Sequence, residues 1–304
     1  MGSIAERAAT TPTRYVEVAT ARYAYRALGP ADPVDATPVL FLYRFRGTLD
    51  GWDPGFVDAL AETRHVILFS DQAVGSSTGM AATSVDEKAR NAADFAKAPG
   101  FSTIDVLGFS MGGFVAQAIT LNESTLVRKV IIVGAAGGGN PEAAPPTDIV
   151  FEIALHPEYT FEDVRYLFFA EGRDEETQAY LDRRATRTSG QGLPVTPDVI
   201  GKMVALISDF MGRKTAHYEK PKNLRQPTLI VSGDRDPFSR SRTSGYCIAN
   251  CPTHSCWSIP TRAMGRISSI PARWWEKSNV SWLQPDPFTR CRETQARRFR
   301  RLGV

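Results

Sequence analysis

Cysteine is missing from the first 236 residues; all four (Cys247, Cys251, Cys256 and Cys291) fall in the C-terminal stretch. A disulfide-stapled scaffold is therefore excluded for most of the chain. No stretch reaches the ~18 apolar residues that a spanning helix needs. Met1–Thr13 is small and polar, without the hydrophobic segment of a secretory signal. The start Met1-Gly2-Ser3-Ile4-Ala5-Glu6 lacks the hydroxyl residue that ends a myristoylation motif. The expectation is a cytoplasmic protein that engages no membrane. Histidine is scarce, with His65, His156, His217 and His254 alone. Internal repeats and low-complexity runs are absent, which excludes solenoids and fibrous arrays.

What remains is ordinary globular composition with one irregularity. At 304 residues and 42% hydrophobic, the chain can bury a full core as one large domain carrying an insertion. The net charge of +3 hides a split. From Pro237 onward there are 12 Lys/Arg against 3 Asp/Glu, a net +9, while the preceding residues hold 24 against 30, a net −6. Four of the five tryptophans (Trp257, Trp274, Trp275 and Trp282) lie in that same tail. Such a shift marks a separate module or a stretch of foreign origin.

The chain reads as strands alternating with helices. Arg14–Ala19 and Ala21–Leu28 alternate as an antiparallel pair. Pro38–Tyr43 and Val66–Phe69 are continuous apolar runs, as in strands covered on both faces. Helices are expected near Pro54–Glu62 and Val85–Ala98, and a further strand at Lys129–Val133. Together these imply a mostly parallel sheet. After the Gly/Pro/Ala-rich stretch Gly134–Pro146, the pattern from Asp148 to about Lys220 is helical throughout and reads as an inserted lid. Pro227–Gly233 is the next strand and runs into Asp234-Arg235-Asp236. The expected division is a core of residues 1–140 and 221–246, a lid of 141–220 and an aberrant, irregular tail of 247–304.

Directly after Ile104-Asp105-Val106-Leu107 comes Gly108-Phe109-Ser110-Met111-Gly112-Gly113. This is a G-x-S-x-G nucleophile elbow, a sharp strand-to-helix turn that lifts a serine hydroxyl clear of the sheet. Glycines are needed at 108 and 112 because a Cβ there would collide with the neighbouring strand or helix. Three further stretches accompany the elbow: Tyr43-Arg44-Phe45-Arg46-Gly47 with Trp52 downstream, Phe69–Ser77, and Gly233-Asp234-Arg235-Asp236.

With these four motifs in order, residues 14–236 resemble the α/β-hydrolases, in particular the cofactor-free group around enol-lactonases, carboxylesterases and non-haem haloperoxidases. The resemblance implies a small-molecule substrate and no cofactor or metal. It makes Ser110 the nucleophile, the N–H groups of Met111 and Phe45 the oxyanion hole, and Asp236 the acid that orients a histidine, with Asp234 as its alternative. Tyr43 and Arg44 stand where the family has His-Gly, and Ala73 replaces a common arginine. Arg44 and Arg46 either bind a substrate carboxylate or pair locally. The lid residues Phe151, Tyr166, Phe168, Phe169, Met203 and Phe210 either meet an apolar substrate or pack helices.

The family's histidine follows the acid in a Gly-His-Gly loop after the last strand. Here only His254 follows Asp236, as a substitute base, in Cys251-Pro252-Thr253-His254-Ser255-Cys256. Taking each codon's third base with the next codon's first two makes Cys251–Val280 compatible with LPHAQLLVYPDAGHGANFQYP and a KRFL-like end. That peptide has the family's last strand, histidine loop and helix, with the histidine codon straddling Ala263 and Met264. The expectation is a shifted reading frame beginning between Asp236 and about Tyr246. A metal cluster of Cys247, Cys251, His254 and Cys256 fits no regular zinc spacing. The arginines of Arg290–Arg301 have no flanking nucleic-acid-binding fold, so no nucleic-acid partner is expected.

Overall fold

The computed structural model describes residues 7–19, 21–33, 35–135, 138, 148–212, 220–233 and 254–259, with residues 232, 233 and 254–259 described by their backbone alone. Its frame is an eight-stranded sheet: β1 (Arg14–Val18), β2 (Ala21–Leu28), β3 (Asp35–Leu42), β4 (Arg64–Phe69), β5 (Ile104–Phe109), β6 (Val127–Val133), β7 (Thr228–Gly233) and β8 (His254–Ile259). The spatial order is β1-β2-β4-β3-β5-β6-β7-β8. β1 and β2 pair antiparallel, as does β2 with β4, and every later pair is parallel. The apolar runs behave as their composition requires. Val39–Leu42 and Val66–Phe69 are buried throughout because helices cover both faces of the parallel strands.

α1 (Pro54–Ala61), α2 (Val85–Lys97) and α3 (Met111–Asn122) connect the first strands, and α4 (Asp148–Leu155), α5 (Phe161–Phe168), α6 (Asp174–Ala185) and α7 (Pro197–Met211) fill the insertion between β6 and β7. One apolar cluster joins α2, α3 and α7 to one sheet face; the other joins α1, α4, α5 and α6 to the opposite face. α3 is apolar on every side and buried from Met111 to Thr120, which fits a helix lodged between strands and lid. The acidic runs at the starts of α2 (Asp86, Glu87) and α6 (Asp174, Glu175, Glu176) lie in first turns, where they complement the helix dipole.

The tail departs from its expected irregularity in one place. Its segment His254–Ile259 extends the sheet parallel to β7. An unpartnered edge on β7 would expose a row of backbone donors and acceptors, and this segment occupies it. The boundary residues Gly134–Pro146 fall mostly outside the described residues, as does the rest of the tail.

At the amino ends of the central strands, two aspartates and two arginines form a network. Arg128 Nη2 donates to Asp35 at 2.6 Å and to Asp105 at 2.7 Å, and Arg64 Nη2 donates to Asp105 at 2.7 Å. Burial alone would raise the Asp35 pKa. The Arg128 hydrogen bonds, the Thr37 N–H and the nearby Arg64 charge outweigh it and bring the carboxyl down to about 2. A carboxyl with a depressed folded-state pKa stabilises the fold above its unfolded pKa and loses that contribution as pH falls through the folded value. Asp35→Asn is therefore expected to lower stability at neutral pH and to flatten the loss between roughly pH 4 and pH 2. Urea midpoints across that range check it; parallel curves for the two proteins would contradict it.

Candidate active site

The elbow has the geometry its sequence requires. Ser110 sits between β5 and α3 at φ 53° and ψ −121°, a left-handed conformation rare for a residue with a side chain. Its N–H donates to the Val133 carbonyl of β6 at 2.9 Å, and its carbonyl accepts from the Gly113 N–H at 2.7 Å. The backbone is thus over-determined on both sides, which is how such strain persists. The hydroxyl caps nothing in α3 and stands half-buried at the carboxyl end of the sheet.

Two glycines make the turn possible. A Cβ at Gly108 would lie 2.3 Å from the Gly112 carbonyl oxygen, and one at Gly112 would lie 1.9 Å from the Leu42 carbonyl oxygen. The second contact brings α3 against the end of β3, where the loop Tyr43–Gly47 begins. Met111 opens α3, so its N–H has no acceptor within the helix. Among the described residues no acceptor takes the Phe45 N–H either. Phe45 itself is half-buried against the core cluster that contains Met111 and Phe114.

The loop is held by aromatic packing that sequence reasoning missed. The Tyr43 ring lies 4.1 Å from Trp52 and 6.0 Å from Phe109, centroid to centroid. It fills space vacated by two glycines, since a Cβ at Gly47 or Gly51 would strike the ring. Its hydroxyl donates to the Gly51 carbonyl. Burial pushes the Tyr43 phenol up to about 12, so it remains a donor at any ordinary pH. The glycines at 47 and 51, each four residues beyond the last position, were the available signal.

Arg46 pairs locally. Its guanidinium donates to the carbonyls of Ala154, His156 and Pro157, in the last turn of α4 and just beyond it, and thereby ties the loop Tyr43–Gly47 to the insertion. Asp53, which caps α1, adds a second tie through a bidentate pair with Arg183 of α6 at 2.8 Å for both contacts. A cleft beside the elbow is lined by Arg44, Ser70, Asp71, Lys88, Met111 and Met203, among others. Of the apolar lid residues singled out in the sequence, Met203 lines this cleft. Phe168, Phe169 and Phe210 are buried in the core and Phe151 is half exposed.

The acid and the base are a different matter. Asp236 and Asp234 lie outside the described residues, as does His217. His65 bonds the Pro30 carbonyl at 3.0 Å, and His156 pairs with Asp163 at 3.0 Å within the capping box of α5. His254 opens β8 in register with Thr228, hence with Val130 and Val106. Phe109, beside Ser110, is level instead with Val133, Val231 and Trp257. His254 therefore starts four residues below Ser110 and three strands away, roughly 13 Å along the strands and 14 Å across them. A nucleophile and its base must meet within ~3 Å, and this backbone placement works against His254 as that base.

Gly112→Ala is expected to cost about 3 kcal/mol or more, because the 1.9 Å contact is with backbone that cannot swing away. Chemical denaturation measures it. A variant as stable as the parent would mean that α3 and β3 do not approach in this way.

The comparisons with known proteins agree with the topology. The family model for the alpha/beta hydrolase fold matches residues 37–262. An alpha/beta hydrolase fold protein from Chitinophaga pinensis superposes with a TM-score of 0.80 at 27% identity, covering 92% of this chain and 100% of that one. An enol-lactonase from Burkholderia xenovorans gives 0.67 at 15% identity over 89% and 99% of the two chains. A meta-cleavage product hydrolase from Pseudomonas fluorescens gives 0.65 at 16% identity over 87% and 98%. No functionally curated protein is similar enough in sequence to count as a match. With a strained serine between strand and helix, a mostly parallel sheet and a helical insertion after β6, the chain belongs to the alpha/beta hydrolase fold family.

Proposed function

We propose that this fold is built for hydrolysis of a small ester or lactone through an acyl-enzyme formed on Ser110, and that the chain as written is impaired because its base is missing. The observation that carries the reading is the Ser110 backbone, held at φ 53° between β5 and α3 with its hydroxyl free of the helix. In the proposed reaction the Ser110 Oγ attacks the substrate carbonyl and its proton passes to a base. The N–H groups of Met111 and Phe45 hold the oxyanion, and Asp236 orients the base. The enol-lactonase of like fold supports the ester or lactone class.

Without a base, catalysis falls back on the oxyanion hole and binding, with a ~10⁴-fold or larger loss in kcat. The reading frame accounts for the loss: a single base gained or lost after Asp236 would remove the family's Gly-His-Gly loop and leave the Arg-, Cys- and Trp-rich tail. The strand His254–Ile259 falls where the alternative frame places the family's last strand. A second reading, favoured by the distant register of His254, is a protein that binds a ligand in the cleft without turning it over.

The test has two parts. DNA from the Asp236 codon to the end is expected to show the shifted frame. The frame-restored protein is expected to hydrolyse p-nitrophenyl butyrate ~10⁴-fold faster than the chain as written, and Ser110→Ala is expected to abolish the difference. An uninterrupted frame with tail peptides of the written mass, or a restored protein no more active, would overturn the proposal.

A further inference from the structure

We infer that Arg44 anchors a carboxylate of the substrate, so that the molecule entering the cleft is an anion. The inference rests on the hydrolase reading above and narrows its substrate class.

Among the described residues, three charged side chains line the cleft: Arg44, Asp71 and Lys88. Two of them cancel. Lys88 Nζ donates to Asp71 Oδ2 at 2.6 Å, with both side chains nearly sealed from solvent, and Asn91 donates to the other Asp71 oxygen at 2.9 Å. Arg44 is left over, and the described lining carries a net charge of +1.

Among the described residues Arg184 shares this state, with a buried Nε that has no partner, but most other buried or half-buried arginines do not. Arg26, Arg64, Arg128, Arg183 and Arg187 each meet an aspartate within 3.4 Å. Arg46 is saturated by three carbonyls. Arg44 meets no carboxylate among the described residues. Its Nη1 donates to the Phe45 carbonyl at 3.0 Å, the guanidinium also hydrogen-bonds the Tyr43 side chain, and its Nε is buried without an acceptor. The guanidinium instead lies against aromatic faces: Phe168 at 5.2 Å, Tyr43 at 5.4 Å and Tyr159 at 5.6 Å.

A half-buried cation with a sealed, unpartnered Nε and no counter-ion is costly, and aromatic faces offset only part of that cost. A carboxylate docking in the cleft would supply the missing charge to a planar fork shaped for it. The position is informative too. Arg44 immediately precedes Phe45, the proposed oxyanion donor, on a loop whose start touches α3. One short segment would then hold the reacting carbonyl and a carboxylate of the same molecule.

Two probes of like shape and different charge test this, phenylacetate and phenylacetamide, titrated calorimetrically into the full chain without need of turnover. Wild type is expected to bind the anion about 10- to 100-fold more tightly than the amide, the range of a charge-assisted hydrogen-bonded pair. Arg44→Gln is expected to erase the preference and leave the amide affinity unchanged. Arg44→Lys, which keeps the charge without the fork, is expected to retain part of it and serves if the glutamine variant does not fold. Wild type binding both probes alike, or neither, contradicts the anchor, as does a preference that survives in Arg44→Gln. An Arg44-dependent preference in a protein whose frame-restored form has no esterase activity would keep the anchor and sink the hydrolase reading. Esterase activity without the preference would do the reverse.

Discussion

The approach of α3 to the end of β3 is the contact on which the site depends. It requires a hydrogen atom in place of a side chain at position 112, where any Cβ would sit 1.9 Å from the Leu42 carbonyl oxygen. Given that contact, the chain can leave β5 and enter α3 within one residue, and that residue, Ser110, takes the strained conformation. The start of α3 then lies against the loop that leaves β3. Ser110, the proposed nucleophile, and Phe45, a proposed oxyanion donor, come from segments far apart in sequence, and the contact of two backbones brings those segments together.

The loop after β3 is also where the insertion is fastened. Arg46 holds the carbonyls beyond α4, Asp53 holds Arg183 of α6, and Asp50 accepts from Arg26 of β2 at 2.6 Å and from the Gly192 N–H at 2.7 Å. Two of these ties are ion pairs in which one partner, Arg26 or Asp53, is nearly sealed from solvent, so removing the other partner strands that charge in a poor solvent for ions. The insertion helices and the loop after β3 are thereby bound to each other. Arg44 stands apart within this segment, since its charge is used for no such tie.

Much of this was legible in the residues. The continuous apolar runs at Val39–Leu42 and Val66–Phe69 gave buried parallel strands because period and composition both say so, and the glycines around Ser110 gave the elbow because the turn has so few sterically allowed solutions. The Tyr43 ring in the space above Gly47 and Gly51 was not legible, because it is a fit between a side chain and two absences, and only the folded loop brings them together. Nor could the sequence divide the arginines of the loop Tyr43–Gly47. Arg44 and Arg46 are chemically identical two residues apart, and what separates them is the proximity of α4's last carbonyls to one and not the other. β8 escaped notice for a further reason: the tail's composition is foreign to the rest, and the edge of β7 supplies the pairing that the tail's own pattern does not announce.

Active-site-directed labelling with a fluorophosphonate, followed by mass spectrometry of the Ser110 peptide, tests whether Ser110 is an acylatable nucleophile in a chain that has lost its base. Labelling at Ser110 is expected to be fast and stoichiometric in the frame-restored protein and very slow in the chain as written. Fast labelling of the chain as written would show that a base is present after all, and no labelling of the restored protein would show that Ser110 is not the nucleophile.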